Sequence, residues 1–143
     1  MRTLNSSEWF VVFYYGGPDP FEALDILTDI YGSIKKAENL AYQKYPANEI
    51  HNGRGDALKH CYLSALLSKK RGEGFAKDFM DAHEDVDGNP PDEKSMDLHN
   101  NEVGRNIAKK NPSVSDEKLG ELCFKAVQGG RTKVIDGPGK NWP

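Results

Sequence analysis

Through most of this chain apolar residues recur every third or fourth position, and that period predicts helices. The clearest spans residues 20–44, where Ala23, Ile26, Leu27, Ile30, Ile34, Ala37 and Ala41 form one stripe. Asp19 is placed to cap it and Pro20 to open its first turn. Gly32 is a weak point inside it, worth about 1 kcal/mol relative to alanine. Over 56–71 the residues Leu58, Cys61, Tyr62, Leu63, Ala65, Leu66 and Leu67 leave little polar surface, the mark of a central, buried helix. Further helices are predicted over 73–84 (Phe75, Ala76, Phe79, Met80), 93–110 (Met96, Val103, Ile107) and 115–128, the last capped by Ser115 and stopped at Gly129-Gly130.

Trp9–Tyr15 breaks the pattern with seven consecutive apolar residues. Its aromatic and β-branched content favours a strand and its neighbours favour a helix. We read it as a buried first element, with Lys133–Ile135 as a short strand placed to pair with it. Five helices against at most two short strands make the expected class all-α: a single compact domain, residues 1–143, with its motifs in 51–110.

Composition narrows this further. The chain has 143 residues, 37% hydrophobic and 29% charged, which suits one globular domain with a real core. A net charge of −3 gives no general field for nucleic acid, so none is expected as a partner. The local run Lys69-Lys70-Arg71 is read as a solvated helix end. Cys61 and Cys123 form no CxxC pair and are expected to be buried free thiols. The seven-residue run is far short of the about 20 residues a membrane-spanning helix needs. Arg2 ahead of it gives a faint likeness to a signal peptide, but the run ends in Gly-Gly-Pro-Asp-Pro with no small-x-small cleavage site. The expected location is the producer's cytoplasm, or export by a route that needs no signal peptide.

Polar residues at inward positions point to chemistry. Asp56 and His60 lie four apart and share a helix face; Asp56 also reads as an N-cap, and His60 as a core histidine bonded to it. A carboxylate that fixes an imidazole tautomer also prepares a base or a metal ligand. His83 extends the stripe of Phe75 and Phe79, and Glu84 beside it sits at a helix C-terminus, where a carboxylate opposes the dipole. Asn100 falls on the inward face of its helix, and Asp97, Asn101 and Gly104 lie alongside. Two adjacent asparagines in mid-helix are a locally poor choice, often found at functional positions. Gly104 lets a backbone or ligand come close.

The resulting constellation is Asp56, His60, His83, Glu84, Asp97 and Asn101. In one chemistry His60, His83 and Asp97 hold zinc or a similar divalent ion and Glu84 is the general base. In another, without metal, Asp56 orients His60 as base while Glu84 and Asp97 form an acid–base pair. A third reading is a hydrogen-bond network that only specifies the fold. HExxH is absent, and aligning Gly88 with a calcium-loop glycine puts His83 and Lys94 where acids are required. Cys61 faces the packed side and is a poor thiol nucleophile.

The blocks Gly55-Asp56-Ala57-Leu58-Lys59-His60, Asp81-Ala82-His83-Glu84, Met96-Asp97-Leu98-His99-Asn100-Asn101 and Val103-Gly104-Arg105 resemble, in order, an uncharacterised bacterial domain family. That family often forms the C-terminal module of polymorphic or contact-delivered toxins. The resemblance implies a bacterial effector, with a cognate immunity protein as partner, and sets the six polar residues in the family's motif positions. It adds Lys59, Asn100 and Arg105 as binding residues. Lys59 stands where the family pattern has Arg and Leu63 where it has Trp, which weakens a bidentate anion contact and removes a stacking one. The expected function is an effector-type hydrolase with a cell-envelope substrate; the rival is a non-catalytic binding or immunity-like module whose histidines are internally satisfied.

Overall fold

A computed structural model describes residues 3–143; Arg2, and with it the signal-peptide likeness, lies outside the described residues. Six α-helices follow one another: α1 (Ser6–Gly16), α2 (Pro20–Lys44), α3 (Arg54–Arg71), α4 (Glu73–Glu84), α5 (Pro91–Lys110) and α6 (Asp116–Gln128). No strand occurs among the described residues, so the fold is all-α. None of these helices is long and apolar enough to cross a membrane.

Two of the three predicted N-caps are in place. Asp19 accepts from Phe21 N at the head of α2, and Ser115 accepts from Lys118 N at the head of α6. Asp56 is not the N-cap of α3, which is Gly53; it sits in the first turn instead and accepts from the Asn52 backbone N–H at 2.8 Å. α3 is the central helix, buried from Gly55 to Leu67 except at Lys59. Ile26, Ile30, Leu58, Leu66, Phe75, Phe79, Met80, Met96 and Leu119 fill the core around it.

α3 and α5 pack closely against each other: His60 meets Asp97, and one turn further on Ser64 Oγ donates to the Asn101 carbonyl. Gly104 makes this approach possible. A Cβ there would lie 2.0 Å from the Cys61 carbonyl oxygen. The close neighbour expected at Gly104 is therefore the backbone of α3.

Three sequence expectations need correction. Trp9–Tyr15 is helical and mostly outward: Phe10, Phe13 and Tyr14 are 70%, 60% and 72% exposed, and the buried face of α1 is Glu8, Val11, Val12 and Gly16. An unbroken apolar run carries no period, so it cannot tell which face a helix turns inward. Lys133–Ile135 forms no strand. Its backbone is held by the Asn100 side chain, by Asn141 and by the Asn52 carbonyl. Lys69, Lys70 and Arg71 are not simply solvated: the lysines converge on Asp116 of α6, and Arg71 pairs with Glu22 and Asp29 of α2.

Candidate metal centre

Three helices bring four of the predicted residues together. Asp56 and His60 come from successive turns of α3, Glu84 from the last turn of α4, and Asp97 from α5. His60 Nδ1 lies 3.0 Å from Asp56 Oδ1 and 3.1 Å from the Asp56 carbonyl. That fixes the rear of the ring and turns Nε2 toward Glu84 Oε1 at 3.4 Å and Asp97 Oδ2 at 3.6 Å. His83 joins from the same end of α4, its ring centroid 5.9 Å from that of His60 and its Nε2 3.9 Å from the same Glu84 oxygen.

The rear of His83 is held by a residue that sequence reasoning missed. Glu8 of α1 is fully buried, and its Oε2 lies 3.4 Å from His83 Nδ1. Its Oε1 accepts from Asn5 N at 2.9 Å, while Asn5 Oδ1 accepts from Glu8 N, a reciprocal capping box. The spacing Asn5-x-x-Glu8 before an apolar run was the available signal, but it speaks only of a helix start.

Both imidazoles thus present Nε2 forward while a buried carboxylate holds Nδ1, the arrangement that outer carboxylates impose on metal-binding histidines. His60, His83 and Glu84 each offer a ligand atom, all within 4.8 Å of one another, and so do Asp56, His60 and Asp97. The carboxylate between the two imidazoles is Glu84, where the sequence reading placed Asp97. Glu84 Oε1 and Asp97 Oδ1 are buried and have no hydrogen-bond partner. The Glu84 oxygen, an orphaned acceptor facing both imidazole Nε2 atoms, fits a divalent cation.

The electrostatics follow from burial among like charges. Burial disfavours the His60 cation, but Asp97 and Asp56 outweigh it and hold His60 well above the ordinary histidine range. Burial, reinforced by Asp56 and Glu84, lifts Asp97 to about 7 against the pull of His60. Burial also works against ionised Glu84 and Asp56, yet His60 keeps both below the ordinary carboxylate value; Lys59 and the Asn52 amide add to the effect at Asp56.

The cluster opens outward. His60 and His83 line a cavity of about 100 Å³ with Ile34, Glu38, Lys59 and Leu63, and Lys59 Nζ stands 3.6 Å from Asp56. The other predicted residues lie elsewhere. Asn100 spends both ends of its amide on the Lys133 backbone, which makes it a fastener of the C-terminal segment. Asn101, beside Ser64, is buried with its amide atoms unpartnered, one turn along α5 from Asp97. Arg105 is a further turn away and lines a separate groove of about 960 Å³ with Phe10, Tyr14 and Leu98. Cys61 and Cys123 are buried free thiols; the neighbouring Cys123 and burial push Cys61 well above its ordinary range, unsuited to a nucleophile.

No solved structure matches this chain. A family model described as a domain of unknown function, DUF6973, matches residues 21–131, which include Asp56, His60, His83, Glu84, Asp97 and Asn101 but not Glu8, and the chain belongs to that family.

Proposed function

We propose that this protein is a metal-dependent hydrolase of effector type whose centre is His60, His83 and Glu84. One observation carries the reading: two imidazole Nε2 atoms, each with a carboxylate behind it, face one buried and otherwise unpartnered carboxylate oxygen at 3.4 and 3.9 Å. A divalent cation held there supplies Lewis-acid polarisation of a scissile carbonyl or phosphoryl group. The chain does the rest. Asp56 and Glu8 keep each ring in the tautomer with a free Nε2. Asp97, with Oδ2 facing His60 and Oδ1 unpartnered, is placed to take and return a proton. Lys59 stands at the mouth, where it favours an anionic group on the substrate. The small mouth admits an extended or terminal group, in keeping with hydrolysis of a cell-envelope polymer or lipid. The effector role and its immunity partner rest on the family resemblance alone.

The rival, a binding module with sealed histidines, is disfavoured by the cavity that both His60 and His83 line. The test is metal content and activity together. Purified protein should carry close to one equivalent of a divalent metal by elemental analysis and cleave one of peptidoglycan, phospholipid or nucleic acid. His60→Ala and His83→Ala should each lose both properties. A folded His83→Ala protein with full metal content and activity would remove His83 from the mechanism.

A further inference from the structure

α1 lies outside the residues that the family model matches, yet its Glu8 reaches the back of the proposed centre. Its anchorage points the same way. Asn5 Nδ2 donates to the Ala82 carbonyl, Ser7 Oγ donates to Asp85, and Tyr15 OH donates to Asp78 at 2.6 Å. All three acceptors sit on α4 or just past its end, the helix that closes with His83 and Glu84. α1 also packs on α2, where Gly16 meets Ala23, with Val11 and Val12 in the core and an outward face of exposed aromatics. The polar contacts of α1 nevertheless converge on the end of α4 that carries His83, so docking α1 there and fixing the His83 ring are linked.

On the reading that His60, His83 and Glu84 hold a divalent cation, we propose that Glu8 is a positioning residue for His83 and that α1 docking and cation binding strengthen each other through it. The chemistry is specific to a carboxylate. Among the described residues Glu8 accepts from Asn5 N through Oε1 and from His83 Nδ1–H through Oε2. An amide accepts on one oxygen only. If Gln keeps the capping bond to Asn5, its NH₂ turns to His83, Nδ1 must become the acceptor, and the proton moves to Nε2, where it blocks coordination. Because coupling between two binding events is reciprocal, whatever α1 gives to cation affinity the cation returns to α1.

The experiment uses the full chain and Zn²⁺ alone. Calorimetric titration of wild type and Glu8→Gln should show zinc affinity falling about 10- to 100-fold in the variant, the loss typical of an outer-shell partner. Glutamine suits the third position of a capping box, so the variant should keep the wild-type helix content without zinc. In wild type, zinc should slow amide hydrogen exchange across residues 11–16 by a similar factor; in Glu8→Gln that protection should shrink by the same ratio. Equal zinc affinity in the two proteins, or zinc binding with no change in exchange across α1, overturns the coupling and leaves the metal centre standing. Wild-type protein that binds no zinc overturns both, and that result appears before any variant is made.

Discussion

His60 meets Asp56 at Nδ1 and leaves Nε2 toward Glu84 and Asp97, so the tautomer is decided one helical turn away from any reacting group. Asp56 has the same double duty as Glu8: Oδ2 accepts from Asn52 N and Oδ1 faces His60. Asp56→Asn should keep one of these contacts and spoil the other. Zinc affinity is expected to drop about 10- to 100-fold by calorimetry, and an unchanged affinity would detach Asp56 from the centre. The Asp56–His60 pair was legible in the sequence because a four-residue spacing on a helix fixes a shared face whatever the tertiary fold. His83 was legible as an inward histidine, and Glu84 as a carboxylate at the wrong end of a dipole. Glu8 was not, since 75 positions separate it from His83 and only packing brings them together. Asn100 misled for the opposite reason: an inward amide in mid-helix does signal a buried polar partner, but that partner is the Lys133 backbone.

Asp97 reaches His60 only because α5 lies close against α3, an approach that depends on one glycine, while a cluster of charges ties the far end of α3 to α2 and α6. Gly104→Ala would place a methyl 2.0 Å from the Cys61 carbonyl oxygen, a clash with backbone that no rotamer relieves. Such overpacking should cost about 3 kcal/mol in urea unfolding; an alanine tolerated within a few tenths would mean the helices sit further apart. At the other end of α3, Asp116 binds Lys36 of α2 at 2.7 Å and Lys69 of α3 at 2.8 Å, with Lys70 at 3.5 Å. Burial opposes its ionisation, but these lysines hold Asp116 far below the ordinary carboxylate range. A depressed folded value stabilises above the unfolded value of about 4 and is lost as pH falls through the folded one. Asp116→Asn should therefore cost about 1 kcal/mol at pH 7, allowing for the partly exposed lysines. The gap to wild type should close steadily below pH of about 4, and a gap independent of pH would assign the loss to packing instead. All five predicted helices have boundaries within two residues of those observed, with α3 and α5 each starting two residues early, because caps and Gly/Pro breaks act locally. Of the two alternatives for Trp9–Tyr15 the helix holds, but its burial was misjudged because an apolar run without a period does not say which face turns inward. The loss of Lys133–Ile135 as a strand follows: with α1 helical and turned outward, it offers no edge to pair with, and side-chain amides take over.

Across the whole molecule, Glu8, Asp56 and Glu84 are almost fully buried, Asp97 nearly so, and two imidazoles stand among them with Lys59 at the rim. A protein without a ligand must hold that density of negative charge by protonating some of it, as the raised values of His60 and Asp97 show. A divalent cation removes the need, so its binding energy goes directly into the stability of the folded chain. With Zn²⁺ at about 100 times its dissociation constant the gain should be about 2.7 kcal/mol. For a chain of this size that amounts to a rise of roughly 5–10 °C in melting temperature, reversed by a chelator. A hydrogen-bond network that only specifies the fold makes the opposite forecast. It is complete without metal, so neither zinc nor chelator should move the transition, and His83→Ala should destabilise the protein equally with and without zinc. Thermal melts of wild type and His83→Ala, each with zinc and with chelator, therefore separate a metal centre from a structural network without knowledge of the substrate.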